Sequence, residues 1–212
     1  MASLIGLASL LAGVVAPVPA ATSGSCSTGR SVGVDISQWD EWAFGYHGRA
    51  VVQTFLADDT LISALTFWRS VNEDSAYFSL HLLIGETDST GMPRTDRILV
   101  DWPNLLRVDG DGISPTEYRV EFNPPIALAR RDTFAIYFVS DPCDGWFNLY
   151  MAQNAPYAGG SLWKTWPGGS PCGLRPNPQH DWDWDLCFKL EFCDLVTPVR
   201  RETWGRLKLR YR

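Results

Sequence analysis

Apolar and polar side chains alternate with a period of two over much of the chain between residues 51 and 192. This alternation places successive side chains on opposite faces of a β-strand, and no segment keeps the 3.6-residue period of an amphipathic helix over three turns. In the clearest strand, Leu186, Phe188, Leu190 and Phe192 are expected to face inward, and Cys187, Lys189, Glu191 and Cys193 outward. The predicted strands are 51–57, 61–71, 76–85, 97–102, 117–122, 133–140, 146–153, 161–166 and 184–192.

The segments between the predicted strands are rich in Asp, Asn, Gly and Pro, which favour turns. Strands that follow one another every ten residues or so, with no helices between them, indicate an antiparallel sandwich or barrel. We predict an all-β fold: an antiparallel, jelly-roll-like β-sandwich of about nine strands. In this arrangement the first and last strands lie close together.

The first residues have the pattern of an export signal. Residues 4–18 are apolar and mostly small, and Pro19, Ala20 and Ala21 follow them. This stretch is too short for a comfortable membrane span and fits a signal peptide over residues 1–21. No Lys or Arg precedes it, which leaves an upstream start open, and a buried N-terminal helix or a lipoprotein anchored at Cys26 are the alternatives. Residues 22–195 are then the sandwich domain of a secreted or cell-surface protein, and 196–212 are a basic tail.

The charge is unevenly distributed along the chain. The net charge is −6, but residues 199–212 contain six basic residues and one acidic residue, so the tail is +5 and the rest −11. An acidic body argues against nucleic acid as the main partner, because phosphates require a basic surface. The tail, in which Leu207, Leu209 and Tyr211 alternate with basic residues, is interpreted as a sorting signal, a contact to an anionic surface, or a last edge strand.

Export permits disulfide bonds between the five cysteines. No CxxC pair occurs, so a zinc site is not indicated. Cys187 and Cys193 lie on the same predicted strand, about 20 Å apart at ~3.3 Å per residue, which is too far for a bond. Each of the two must then pair elsewhere, or one stays free. We predict the pair Cys143–Cys172, which would tie two loops, and the pair Cys26–Cys193, which would tie the two ends, with Cys187 left over.

Four short segments carry a resemblance to known proteins: Gln53-Thr54-Phe55, Asn123-Pro124-Pro125-Ile126, Tyr157-Ala158-Gly159-Gly160 and Asp185-Leu186-Cys187-Phe188. They resemble segments of secreted bacterial jelly-roll domains. Between residues 51 and 192 the chain is similar to carbohydrate-binding and cell-surface modules, and the tail with Trp204, Gly205 and Lys208 resembles C-terminal sorting sequences. The resemblance implies extracellular binding or display and supplies no catalytic residue.

The densest polar and aromatic cluster is 180–185, in a chain with 10 Trp, 7 Tyr and 10 Phe. If this segment is extended, its two Trp share one face and its three Asp the other. Sugars bind through an apolar ring face on an aromatic side chain and hydrogen bonds to carboxylates or amides. The predicted ligand-binding residues are Tyr157, Trp163, Trp166, Asp181, Trp182, Asp183 and Trp184. The alternative is that these indoles pack in the core, where large aromatics usually lie.

Metal binding and catalysis have weaker signals. Asp109 and Asp111 alternate with glycine in a turn and are candidate calcium ligands, although the complete calcium loop is absent and a solvated turn is the alternative. No GxSxG, HExxH or glycine-rich phosphate loop occurs, and His47, His81 and His180 are scattered. The sequence therefore predicts a secreted, non-catalytic module that binds a glycan or cell-surface polymer, with no cofactor other than calcium. A structural or adhesive surface protein and a glycoside hydrolase are the second and third hypotheses.

Overall fold

The computed structural model describes residues 26–46, 50–70, 79–102, 115–141, 146–165, 174 and 176–195. Within these residues the chain forms thirteen strands and one short 3-10 helix, Ile36–Gln38. The strands are β1 (Cys26–Val34), β2 (Glu41–Tyr46), β3 (Ala50–Leu56), β4 (Leu61–Ser70), β5 (Ser79–Thr87), β6 (Pro93–Asp101), β7 (Thr116–Ala127), β8 (Thr133–Asp141), β9 (Trp146–Gln153), β10 (Leu162–Lys164), β11 (Gln179–Asp181), β12 (Trp184–Leu186) and β13 (Phe188–Leu195). Cys187 alone separates β12 from β13.

The strands form two antiparallel sheets. Sheet A has the order β1-β13-β4-β9-β12, with β2 beside β9 and β7 beside β4, and sheet B has the order β11-β10-β3-β8-β5-β6. The predicted all-β antiparallel sandwich is confirmed, but the expected number of about nine strands is too low. Strands β1, β2 and β11 were not predicted. The sequences of β1 and β11 alternate weakly and contain several polar residues, whereas that of β2 does alternate, with Trp42, Phe44 and Tyr46 at every second position, and was overlooked because it is short.

The main core lies between the two sheets. Phe55 of β3 lies 6.5 Å from Phe192 of β13, and Phe67 of β4 makes an edge contact with Phe138 of β8 at 4.9 Å, between ring centroids. Each of these pairs joins one sheet to the other. Burial of aromatic and aliphatic side chains from both inner faces is the main force that holds such a sandwich together.

A second, smaller core lies on the outer face of sheet B. Ala50, Val52, Ala135 and Tyr137 are fully buried there, and the partly buried Trp163 packs against their cluster. Strands β3 and β8 are therefore buried on both faces, which explains their nearly continuous apolar sequences. Through Trp163 this outer cluster is in contact with the edge of sheet B formed by β10 and β11.

Two details of the last predicted strand are wrong. Leu186, Phe188, Leu190 and Phe192 are buried as expected, but Cys187 and Cys193, which were expected to face outward, are buried too. Cys187 lies at the junction of β12 and β13, where the regular alternation is interrupted, and its backbone N–H donates to the Tyr150 carbonyl at 2.9 Å. Cys193 lies opposite Thr28 of β1, in the interior of the β1–β13 pair.

The prolines at 124 and 125 lie within a strand rather than in the predicted turn. Strand β7 continues to Ala127, and after an irregularity opposite Ser63 its pairing with β4 resumes at Ile126. The Asn123–Pro124 peptide bond is cis. Among the described strands β7 pairs only with β4, so the prolines remove no hydrogen bond that a second neighbour would need.

Strand β1 pairs with β13, so the first and last described strands are neighbours, as predicted for a jelly-roll-like sandwich. The predicted leader (1–21), the tail (196–212) and the candidate calcium ligands Asp109 and Asp111 lie outside the described residues. In the part of the chain that the structure describes, no helix has the length and hydropathy needed to cross a membrane.

Candidate ligand-binding site

Strands β10 and β11 extend sheet B at one edge and place two ring side chains on its outer face. Strand β10 pairs with β3 on one side and β11 on the other, so Trp163 lies opposite Val52 and opposite His180. Leu162, the preceding residue, is fully buried in the main core. Because side chains alternate along a strand, Trp163 and His180 point to the opposite, outer face.

Three rings form a continuous aromatic surface at this edge. The rings of Trp163 and His180 are stacked, with centroids 4.3 Å apart and planes inclined by 28°. The indole of Trp182 contacts the imidazole edge-on, with ring centroids 3.7 Å apart and planes inclined by 70°. Trp182 is 77% exposed, which is unusual for the largest apolar side chain. Trp163 thus rests on the outer cluster of sheet B, whereas the indole of Trp182 faces solvent.

The position of Trp182 follows from a turn that connects the two sheets. Strand β11 belongs to sheet B and β12 to sheet A, and Trp182 and Asp183 form the turn between them. The segment 180–185 is thus not a single extended strand, and its two tryptophans separate. Trp184 is partly buried against the main core, whereas Trp182 remains outside.

The aromatic surface is one side of a cleft of about 420 Å³. Leu56 of β3, the loop 158–161, the turn at Thr90 and Gly91, and Thr133 at the start of β8 form the remaining sides. This volume lies within the range of small-ligand sites. The combination of apolar ring faces with hydroxyl and backbone groups is suited to a ligand that has both apolar and hydroxylated surfaces.

The loop 158–161 is fixed to β3 by hydrogen bonds and by close packing. The Ser161 N–H donates to Thr54 Oγ1 at 2.8 Å, and the Thr54 N–H donates to the Ser161 carbonyl at 2.9 Å. A Cβ atom at Gly160 would lie 1.8 Å from the Thr54 carbonyl oxygen, so only glycine fits there. The cleft thus has one rigid side.

A buried polar network lies behind this loop and joins the two sheets. Asp185 is fully buried, and its carboxyl oxygens accept from Gln53 Nε2 and from the Tyr157 N–H, both at 2.9 Å. Gln53 Oε1 in turn accepts from the Leu186 N–H at 2.8 Å. Burial raises the pKa of Asp185 to about 6, although both hydrogen bonds act in the opposite direction.

The structure brings together only part of the predicted binding set. Trp163 and Trp182 line the cleft, whereas Tyr157 packs edge-on against Phe188 at 5.4 Å, and burial raises the pKa of its hydroxyl to about 12. Trp184 packs against the core, and Trp166 lies outside the described residues.

The predicted carboxylates Asp181 and Asp183 and the third acidic residue of this segment, Asp185, are also separated from one another. Asp181 forms an ion pair with Lys164 at 2.7 Å, Asp183 is exposed in the turn, and Asp185 is buried in the network above. The described residues contain no group of three or more His, Cys, Asp or Glu side chains placed to hold a metal ion.

A second cleft, of about 430 Å³, adjoins the aromatic one and shares Gly91 and Thr133 with it. Its lining includes Glu86, Asp88 and Asp132. The Thr90 hydroxyl and N–H both donate to Asp88, and these hydrogen bonds hold the pKa of Asp88 below its usual value. Asp88 is therefore a turn-forming carboxylate that stays ionised.

Of the residues that line the cleft, only Trp163 and Trp182 were predicted from the sequence. His180 belongs to the cluster at 180–185 and could have been identified from its spacing of two from Trp182, but Thr90 and Thr133 come from turns and strand ends far along the chain. No local pattern marks a threonine as part of a cleft, because its position depends on which strands become neighbours.

Of the cysteines, Cys187 is a free buried thiol, as predicted, and burial raises its pKa to about 12. Cys143 and Cys172 lie outside the described residues.

Comparison with known proteins does not extend this description: the sequence matches no protein-family model, and no curated protein is significantly similar to it.

Proposed function

We propose that this protein is an exported, non-catalytic module that binds a glycan or another cell-surface polymer. The observation that supports this most directly is the open aromatic surface of Trp163, His180 and Trp182 on the outer face of sheet B. An indole that is 77% exposed contributes little to folding, so its large apolar face is available to a ligand.

The chemistry of the cleft suits a sugar chain. The C–H face of a pyranose ring packs well on an indole, because it is apolar and its hydrogens meet the electron-rich ring face. Thr90, Thr133 and the backbone of the loop 158–161 line the same cleft and would offer hydrogen-bond partners to the hydroxyl groups of such a sugar. A neighbouring cleft that shares Gly91 and Thr133 gives room for a chain longer than one residue.

Binding is favoured over hydrolysis by the distribution of carboxylates. A glycosidase needs two carboxyl groups on either side of the scissile bond, one of them with a raised pKa. Among the described residues that line the aromatic cleft there is no Asp or Glu. In the adjoining cleft the pKa of Asp88 is lowered, which is opposite to the requirement for a general acid.

The compartment and the disulfides are part of the proposal. Export rests on the sequence of residues 1–21, and it would allow the Cys26–Cys193 bond. The pairing of β1 with β13 places Cys26 opposite Leu195 and Thr28 opposite Cys193, so the two cysteines are diagonal neighbours in the backbone. Cys193, unlike Cys187, is not a free thiol.

The proposal is tested by sedimentation with insoluble cellulose, chitin, xylan and mannan, each with calcium and with a chelator. We expect wild-type protein to bind at least one polymer and Trp182→Ala to lose tenfold or more in affinity, because the stacking face is removed. Trp39→Ala is the matched control: Trp39 is 43% exposed and contacts Tyr150 of sheet A, away from the cleft.

Two results would contradict this function: no binding of the wild type to any polymer, or equal loss in the two tryptophan variants. Loss of binding in the chelator would instead indicate a role for calcium. Deleting residues 199–212 tests the adhesive alternative, which requires the tail for retention at the cell surface.

A further inference from the structure

The imidazole of His180 has no hydrogen-bond partner within the described part of the chain. Both of its ring nitrogens are shielded from solvent and unpaired, as is Nε1 of Trp163 beneath it. Buried polar atoms in proteins are almost always paired, so two unpaired nitrogens on one ring require an explanation. They lie in the lining of the aromatic cleft, where a ligand can supply the missing partners.

Trp182, the residue that covers the imidazole of His180, is itself largely exposed to solvent. Trp182 contacts the imidazole edge-on at 3.7 Å and is 77% exposed, so its indole shields His180 while remaining largely in water itself. Its position in the turn between β11 and β12 leaves it without strand neighbours of its own. Because Trp182 belongs to the turn and not to a strand, a different position of its side chain would require no change in strand pairing.

We propose that Trp182 covers a subsite in which one neutral sugar ring enters between its indole and His180, and that the His180 imidazole is the hydrogen-bonding group of this subsite. The proposal rests on the glycan-binding function and specifies its ligand.

The chemistry of the imidazole selects the ligand class. A neutral imidazole has one N–H donor and one acceptor nitrogen, so it pairs with two hydroxyl groups, one accepting and one donating. Burial favours this neutral form by lowering the pKa of His180, against the opposing charge of Asp181. A carboxylate can accept but not donate, so it can pair with the imidazole N–H and leaves the acceptor nitrogen unpaired. The subsite therefore favours neutral sugars over uronic acids.

The experiment measures affinities of the full-length protein for cellohexaose, xylohexaose, mannohexaose and hexagalacturonate by calorimetry. His180→Phe retains the ring stack and removes both nitrogens. We expect it to weaken binding of the preferred neutral oligosaccharide at least tenfold. His81→Phe is the matched control, because His81 pairs with Asp101 on β5 and β6 and does not line the cleft.

A second measurement uses the wild type alone, in case His180→Phe folds poorly. Addition of the preferred oligosaccharide is expected to shift the ¹⁵N resonances of the His180 imidazole, since both nitrogens gain partners. Unchanged resonances at saturation, wild-type affinity in His180→Phe, or preference for hexagalacturonate would each overturn the subsite while leaving glycan binding intact. If no oligosaccharide or polymer binds the wild type, the proposed function fails and the subsite with it.

Discussion

Asp185 and Gln53 show how single polar residues inside the sandwich are stabilised. Both carboxyl oxygens of Asp185 and Oε1 of Gln53 accept hydrogen bonds. The resulting network connects β3, the loop at Tyr157 and β12. Leaving a buried donor or acceptor unpaired typically costs about 1–3 kcal/mol. A complete network is therefore needed for these residues to lie in the core at all.

The raised pKa of Asp185 predicts a dependence of stability on pH. Because the folded-state pKa is about 6 and the ordinary value is 3.8, the folded protein binds this proton more tightly than the unfolded chain. The contribution of Asp185 to the free energy of unfolding is fully present below about pH 4 and is lost as the pH rises to about 6.

Replacing Asp185 with Asn tests this. At pH 4 the buried carboxyl of Asp185 is protonated and has the size and charge of an amide, so Asp185→Asn should unfold with nearly the free energy of the wild type. Between pH 4 and pH 6.5 the wild type should lose stability relative to the variant, by about 1–3 kcal/mol, since the variant has no proton to lose. Urea unfolding across this range provides the measurement, and a difference that stays constant with pH would contradict the assigned pKa.

Gly160 is a second residue whose identity the fold dictates. Gly160→Ala places a methyl group against the Thr54 carbonyl, and we expect a loss of about 1–3 kcal/mol from overpacking and a disturbed cleft. Gly91→Ala provides the comparison, because its φ of 84° is unfavourable for alanine but its Cβ would meet no atom within 4 Å. Chemical denaturation should show a larger loss for Gly160→Ala, and equal losses would mean that the loop yields.

At the scale of elements, β1 is the edge strand of sheet A and pairs with β13. Nine residues of β1 run beside the last strand, and the proposed Cys26–Cys193 bond would join their ends. Such a bond between residues far apart in sequence restricts the unfolded chain strongly.

We expect Cys193→Ser to lower the free energy of unfolding by about 2–5 kcal/mol under oxidising conditions. Cys187→Ser, which changes a free thiol, serves as the control for the loss of buried sulfur. Peptide mapping without reduction identifies the bond directly. A map that joins Cys193 to Cys143 or Cys172 would overturn the proposed pairing.

For the whole molecule, the described strands form both sheets and the core between them. The core is formed by residues from both sheets between Val34 and Phe192, and the last described strand ends at Leu195. A chain that ends at residue 195 should therefore keep the thermal midpoint and the polysaccharide binding of the full-length protein. A markedly lower midpoint would show that the tail belongs to the fold rather than to sorting or surface contact.

The positions of most long strands were predictable because one face of each is apolar and the other is not. The predicted strand 146–153 has the bounds of β9, and the start of β8 at Thr133 is also correct. Strand β1 was missed, since Ser, Gly and Arg interrupt its alternation, and Cys187 was assigned to the wrong face because a strand junction shifts it.

The candidate site was predictable only in part. Trp163 and Trp182 were identified because exposed aromatics near carboxylates are typical of sugar-binding surfaces, but nothing local distinguishes Trp182 from Trp184. Trp182 is exposed and Trp184 partly buried because the turn between them takes the chain from sheet B to sheet A.

The order of apolar and polar residues was by itself enough to establish an all-β sandwich, because period-two alternation is a local property that any sheet must satisfy. Only the tertiary structure determined which strands are neighbours, since pairing depends on contacts between residues far apart in the chain. The pairing of the strands placed Trp163 beside His180, left Trp182 exposed to solvent and buried Asp185, and thereby produced the cleft.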